Sequence, residues 1–464
     1  MDKQAVRKDL EGILSPKRVL TAPEELISYQ NDAFPYRVAP DLVAIVENVD
    51  EIVKVVKYAE KNEIPIIPRA AATGLSGGTC PQKGGIVMDV MRLDKIIEID
   101  QRNLTATVEC GVINKDFQDE LAKMGLFYPP DPSSWTVSTI GGNVATRAGG
   151  PKGVKYGTTE DYVLGVEAVI GGGEILKAGG KTVKFSSGYD LPHLFAGSEG
   201  TLGIMTKVTV RLIPLPETKK TMMVIFDTLD EAAQTVSEII GRGIIPVCLE
   251  LMDKISAQCV ESWKPVGLPT DADGILLIEV DGDEYEVEKN AKAIEEVCRS
   301  MKPREFKLAR SAEEAEQLWL GRRSVFSAMA QQYTTVLVED ITVPRTKIPD
   351  IIRACREAGR KHDVIVSVLG HAGDGNIHPQ VLTDIRDKEE LARVDAALAD
   401  IAKAGLELGG TLSGEHGIGV AKSRFFVWEH GEVGKKVMMG IKAALDPKNI
   451  FNPGKLFEEG GQLA

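Results

Sequence analysis

At 464 residues the chain is longer than a single core usually serves, so two or three domains are expected. Its 55 Lys+Arg against 68 Asp+Glu leave a net charge of −13, which argues against nucleic acid or an anionic membrane surface as the main partner. Hydrophobic residues make up 43% of the chain, enough for a sizeable aliphatic core, and the 46 glycines exceed the roughly 7% average. No apolar run reaches the roughly 18–20 residues of a membrane helix. The stretch Met1–Leu10 carries charges throughout, and cytoplasm is the expected compartment. The six cysteines (Cys80, Cys110, Cys248, Cys259, Cys298, Cys355) form no CxxC pair and read as separate reduced thiols, not as an iron–sulfur cradle.

In chain order, the apolar runs Asp41–Glu47 and Glu63–Pro68 flank an amphipathic stretch, Asp50–Lys61, a strand–helix–strand unit of the α/β kind. Glycines then cluster at 74–85, 141–157, 171–180 and 197–203, spaced between strands and unlike a linker. The break Ile213-Pro214-Leu215-Pro216 predicts a domain boundary. Beyond it, strands Thr221–Asp227, Pro246–Met252 and Gly274–Val280 alternate with helices Leu229–Ile240 and Glu284–Arg299. This pattern predicts an antiparallel sheet with helices on one face, an α+β domain. Two further strands, Thr335–Val343 and Val364–Leu369, bracket a helix, Ile348–Lys361.

The familiar nucleotide motifs fail. No G-x-G-x-x-G occurs at a strand–helix turn, and the P-loop look-alike ending Gly180-Lys181-Thr182 has Ile175 where glycine is required. A different cradle is present in Pro68–Thr79, which follows a strand and carries Gly74, Gly77 and Gly78 with the hydroxyls of Thr73 and Ser76. Successive amides in such a loop form an anion-binding concavity, and glycine admits a pyrophosphate close to the backbone. Two more segments accompany it: 129–150, with Pro129-Pro130-Asp131-Pro132-Ser133 and Thr139-Ile140-Gly141-Gly142-Asn143, and then Gly197-Ser198-Glu199-Gly200-Thr201-Leu202-Gly203-Ile204.

In this order the segments resemble the FAD-binding domain of the vanillyl-alcohol oxidase and p-cresol methylhydroxylase superfamily, and most of all the FAD-linked D-lactate dehydrogenase and glycolate oxidase FAD-subunit branch. The resemblance covers nearly the whole chain. It implies an α+β protein with a two-part FAD-binding domain over 1–216, an antiparallel-sheet substrate-capping domain over 217–440, and a C-terminal segment, 441–464, returning to the first domain. The implied FAD contacts are Arg69, Thr73, Gly74, Leu75, Ser76, Gly77, Gly78, Asp131, Pro132, Ser133, Thr139, Gly141, Gly142, Asn143, Thr146, Ala148, Gly149, Tyr156, Glu199, Gly200, Gly203, Ile204 and Asn452. Loop 68–79 contains neither His nor Cys, and His193 and Cys110 lie outside the usual attachment contexts, so FAD is expected to be non-covalent.

Four of the six histidines fall between 362 and 416. His371-Ala372-Gly373-Asp374-Gly375-Asn376-Ile377-His378 lies between two apolar runs, so its glycines predict a turn that brings the two imidazoles together. Ser413-Gly414-Glu415-His416-Gly417-Ile418-Gly419 adds a carboxylate and another imidazole. Two imidazoles and a carboxylate suit Zn²⁺, Fe²⁺ or Mn²⁺ with positions left open. The family resemblance implies metal ligation by His371, His378 and Glu415, with His416 over the substrate. A 2-hydroxy acid would chelate that metal, lose its hydroxyl proton to His416 and pass its Cα hydrogen to the flavin as hydride.

Leu318-Trp319-Leu320-Gly321-Arg322 matches the family's W-x-x-R, which makes Arg322 the expected partner of a substrate carboxylate, with Arg323 as the fallback. The acidic Val338-Glu339-Asp340 favours a small monocarboxylate, D-lactate or glycolate, over a dicarboxylate. With no nicotinamide motif and no cluster cysteines, electrons must leave to another carrier: an electron-transferring flavoprotein first, an iron–sulfur subunit or quinone second. Two other readings are a metal-dependent hydrolase and a flavin electron-relay subunit without its own substrate.

Overall fold

The computed structural model describes residues 2–457. They divide into two compact units: 2–148, Thr158–Leu215 and 415–457 in the first, Gly149–Gly157 and Pro216–Gly414 in the second. The chain thus rejoins the first unit at Glu415, well before residue 441, and a short piece at 149–157 belongs with the second. Backbone bonds account for the early return. Ser76 O accepts the amides of Val420 and Ala421, which docks the segment onto the glycine loop. Of the expected closing segment, residues 458–464 lie outside the described residues.

The first unit opens with the expected strand–helix–strand. Helix Val49–Lys61 is capped by Asn48, whose side chain accepts the Glu51 amide, and it buries Ile52, Val55, Val56 and Ala59. Strands Leu42–Ile45, Ile86–Asp89 and Ile66–Arg69 run parallel beneath it, in that spatial order. The outer edge of strand Ile66–Arg69 is covered by the tail: Ile66 N donates to Ile450 O, and Asn452 N to Ile66 O. That satisfies an edge that would otherwise invite another chain. A five-stranded antiparallel sheet follows, ordered Ile96–Asp100, Thr105–Glu109, Ile204–Arg211, Val163–Ile170, Glu174–Gly179.

The second unit is built on one antiparallel sheet. Its order is Glu305–Leu308, Thr218–Phe226, Gly274–Gly282, Cys248–Asp253, Ile365–His371, Asn376–Thr383, Thr335–Val338, with Ile341–Thr342 also pairing to Asn376–Thr383. The expectation of helices on one face is corrected. Strands Cys248–Asp253 and Asn376–Thr383 are buried at every position, so both faces are covered. Helices Lys254–Trp263 and Ala312–Gln332 share a core with Met223, Ile275, Leu277, Met252 and Leu369. Helices Leu229–Gly241, Glu284–Ser300 and Ile348–His362 contact the same strands. The single strand expected at 335–343 breaks at Glu339-Asp340. The break falls opposite His378-Pro379, where the proline has no N–H to offer a ladder.

Candidate functional site

In the first unit the loop 70–79 leaves strand Ile66–Arg69 and is built for close backbone approach. Gly77 has φ +73°, and a Cβ there would stand 2.4 Å from Val420 Cγ2. Among the described residues the amides of Thr73 to Gly78 donate to no protein acceptor. Asn143 Nδ2 and Ser138 Oγ are likewise buried without hydrogen-bond partners. Open amides in a half-buried glycine loop suit an acceptor-rich ligand, and a dinucleotide diphosphate is one.

Several residues expected to touch the cofactor also make protein contacts around the glycine loop. Arg69 donates to Asn31 O, Ser28 O and Thr79 Oγ1 and stacks on Tyr29. Thr139 caps the short helix Ile140–Thr146 by accepting the Gly142 amide, and Thr146 Oγ1 donates to Gly142 O. Gly141 is required by Cys110, whose Cβ lies 2.4 Å from where its own would be; Gly200 faces Pro68, and Gly203 faces Val169 O. Asn452 Nδ2 donates to Gly78 O and Glu199 O, joining the tail to two glycine segments. Glu199 is buried and accepts the amides of Ile418 and Gly419 at 2.7 and 2.8 Å. Burial outweighs those two donors and pushes its carboxyl up to about 7. Asp32, buried beside the same loop, is pushed up to about 6 by burial.

Asp131, Pro132 and Ser133 lie in the loop before that helix, and Ala148 accepts the Thr159 amide and hydroxyl at its carbonyl. Leu75 and Gly74 sit in the glycine loop, and Ile204 begins a buried strand. Gly149 and Tyr156 fall instead within the second unit, where the Tyr156 hydroxyl donates to Asp281 Oδ2 at 2.9 Å. His193 is held by Asp190 Oδ2 and Glu160 O, and all six cysteines are buried and outside any disulfide.

The second unit carries the paired imidazoles. Strands Ile365–His371 and Asn376–Thr383 form a hairpin in which His371 pairs with Asn376 and Leu369 with His378. The two histidines are therefore diagonal neighbours on one face, with ring centroids 5.0 Å apart and planes at 87°. The turn needs Gly375, at φ +89°, where a Cβ would lie 2.1 Å from Val343 O. Each ring is oriented through Nδ1. His371 Nδ1 donates to Glu250 Oε1 at 2.7 Å, and His378 Nδ1 donates to Glu339 O at 3.2 Å. Both acceptors can only accept, so Nδ1 carries the proton on each ring and Nε2 is the lone-pair nitrogen, the tautomer that ligates a Lewis acid.

Arg322, on helix Ala312–Gln332, reaches the same carboxylate, with Nη2 2.8 Å from Glu250 Oε2. Its Nε is buried without a hydrogen-bond partner. Burial would raise the Glu250 pKa, but the His371 N–H and the Arg322 guanidinium beside it outweigh that and hold the carboxyl below its ordinary range. Arg323 points elsewhere, onto Glu316. Asp340 is fully buried; it accepts the Ser413 hydroxyl at 2.6 Å, and its other oxygen lies 3.9 Å from His378 Nδ1. Gly414 closes this unit against Thr342 Oγ1 and Asn376 Nδ2, and Glu415 is the next residue along the chain. In the first unit, His416 Nε2 lies 3.9 Å from Glu415 Oε1, and the His416 carbonyl accepts the Ser76 hydroxyl. Gly417 leaves room for Glu199 Oε1, and Gly419 leaves room for Ser76 O.

Glu250 was missed in the sequence reading. Its signal was a lone acid inside the apolar run Val247-Cys248-Leu249-Glu250-Leu251-Met252, which a strand buried on both faces tolerates only when the acid is paired.

A glycine cradle of unmatched amides together with an antiparallel sheet bearing oriented imidazoles defines a flavoprotein oxidoreductase with the vanillyl-alcohol oxidase and p-cresol methylhydroxylase fold. Residues 40–179 match the FAD binding domain family, and residues 215–456 match the family "FAD linked oxidases, C-terminal domain". The chain belongs to the FAD linked oxidases. It is 44% identical over 453 residues to the glycolate oxidase subunit GlcD of Bacillus subtilis (strain 168), covering 97% of this chain and 96% of that one. It is 34% identical over 438 residues to a D-lactate dehydrogenase of Archaeoglobus fulgidus, covering 92% and 95%. The solved structure of p-cresol methylhydroxylase with substrate bound superposes with a TM-score of 0.82 at 18% identity, over 98% of this chain and 97% of that one, a likeness of fold. Among the described residues no helix is long and apolar enough to cross a membrane.

Proposed function

We propose that the chain oxidises a small D-2-hydroxy acid, D-lactate first and glycolate next, to the 2-oxo acid. It would do so with non-covalent FAD and a divalent metal (Zn, Fe or Mn), and electrons would pass to a protein acceptor. When bound, FAD supplies a hydride acceptor and the metal a Lewis acid for the substrate hydroxyl. His371 and His378 would hold the metal through Nε2, with Glu415 as the carboxylate ligand. His416 would take the hydroxyl proton as general base. Arg322 would pair with the substrate carboxylate, for which its unpartnered Nε–H is a ready donor. The acidic Glu339-Asp340 pair disfavours a second substrate carboxylate, which supports a monocarboxylate.

The observation carrying this reading is the hairpin in which Glu250 and the Glu339 carbonyl hold both Nδ1 atoms, the arrangement that ligating histidines need. The names of the similar proteins, glycolate oxidase subunit and D-lactate dehydrogenase, support the substrate class. The word "subunit" supports a protein partner; the acceptor proposed is an electron-transferring flavoprotein first and an iron–sulfur subunit or quinone second. Six buried cysteines without a disulfide among them support a reducing, cytoplasmic compartment. Metal analysis of the purified yellow protein, combined with anaerobic mixing with 2-hydroxy acids, tests the reading. A metal-free protein whose flavin keeps its colour with every acid would leave the electron-relay role instead.

A further inference from the structure

Glu250 touches two groups to which the proposed function gives separate tasks. It is the direct cross-strand partner of His371 in the pairing of Cys248–Asp253 with Ile365–His371, so the two side chains share a face. One carboxylate oxygen accepts His371 Nδ1–H at 2.7 Å, and the other lies 2.8 Å from Arg322 Nη2. The Glu250 side chain is 0% exposed and that of Arg322 10%, so water competes little for either contact. Arg322 keeps one buried donor, Nε–H, without an acceptor. Glu250 Oε2 is likewise buried without a hydrogen-bond partner, so its contact with Arg322 is an ion pair, and the buried Nε–H is a donor that a ligand oxygen can complete.

We propose that Glu250 is the positioning residue that sets both ends of the substrate: it fixes the His371 tautomer that presents Nε2 to the metal, and it aims Arg322 so that Nε–H meets the hydroxy acid's carboxylate. A 2-hydroxy acid binds through its hydroxyl and its carboxylate, and one carboxylate braced against both receiving groups keeps the spacing between them constant. A 3-hydroxy acid, with one more carbon between hydroxyl and carboxylate, needs a different spacing, so a fixed one discriminates between the two classes. The inference rests on the function proposed above.

Three measurements on the FAD-loaded protein test it. Nitrogen-15 spectra of histidine-labelled wild type, with metal stripped by chelator and each ring assigned by His→Asn variants, should show His371 and His378 both locked with the proton on Nδ1, and Glu250→Gln should erase the His371 signature while leaving that of His378. The Glu250→Gln protein should keep its flavin content but bind Zn²⁺ about 10–100-fold more weakly in chelator competition. Its KM for D-lactate should rise about tenfold or more, while the preference for 2-hydroxy over 3-hydroxy acids shrinks. Glu250→Asp keeps the charge but cannot span both partners, and it should show the same pattern. A wild type in which His371 is not locked on Nδ1, or a folded Glu250→Gln protein with unchanged Zn²⁺ affinity and KM, overturns the proposal. The tautomer measurement needs neither substrate nor metal, so it separates failure of this role from failure of the proposed activity.

Discussion

Glu199 and Gly419, 220 residues apart in sequence, are joined by a hydrogen bond in which the Gly419 amide donates to Glu199 Oε2 at 2.8 Å. The Ile418 amide fills the other oxygen, and Asn452 holds the Glu199 carbonyl. One buried acid thus gathers the returning segment and the tail beside the glycine loop. Its carboxyl is pushed up by burial from an ordinary 4.5 to about 7. A raised acid gives its full stability below the unfolded value and loses it as pH climbs through the folded value. The wild-type protein should therefore lose thermal stability between about pH 4.5 and pH 7 relative to Glu199→Gln, by on the order of 3 kcal/mol at most. Melting curves of both proteins across that range check this, and parallel curves would contradict it.

Glycines of equal rank in the sequence should behave differently. Gly77→Ala puts a Cβ into Val420 at a left-handed φ of +73° and should cost at least about 1–2 kcal/mol from the backbone alone, with flavin content falling. Gly241→Ala, at the exposed end of helix Leu229–Gly241 with no neighbour within 4 Å, should be neutral or stabilising by up to about 1 kcal/mol. Denaturation midpoints and flavin absorbance per chain separate the two cases.

Lys442 donates to Thr201 O, Phe451 O and Asp446 Oδ2, and Asp446 in turn accepts the amides of Ile450 and Phe451. Removing the cation leaves Asp446 charged and 1% exposed. Lys442→Met should therefore destabilise the first unit by about 3–5 kcal/mol in urea unfolding. Asp446→Asn, which leaves the Lys442 cation its two carbonyl acceptors at Thr201 and Phe451, should cost less.

His378→Ala removes one of two imidazoles whose Nδ1 is already engaged by the protein. Flavin content should be unchanged, because the cradle lies in the other unit. Bound metal should fall below one equivalent, and anaerobic flavin reduction should be lost. Normal reduction rates would refute the metal assignment.

Where burial follows a simple period, the sequence was legible. The helix at Val49–Lys61, the hairpin through His371 and His378 and the strand Gly274–Gly282 follow from apolar spacing and glycine punctuation. What stayed hidden depended on long-range pairing. Pro379 splits the 335–343 strand from across the sheet, and Ser76 and Glu199 recruit residues 417–421 from the far end of the chain. The glycine excess divides in the same way. Gly77 and Gly78 sit in the anion cradle, while Gly141, Gly200, Gly203, Gly417 and Gly419 make room for protein neighbours that no local pattern reveals. Arg322 was found through a motif, whereas Glu250, to which it is tied, needed the strand register.

The most direct test of the account is anaerobic titration of the FAD- and metal-replete protein with D-lactate, L-lactate and glycolate, following the flavin's visible absorbance. The account predicts full bleaching with one equivalent of D-lactate, slower bleaching with glycolate and none with L-lactate. Persistent colour with all three, or bleaching by L-lactate alone, would contradict it.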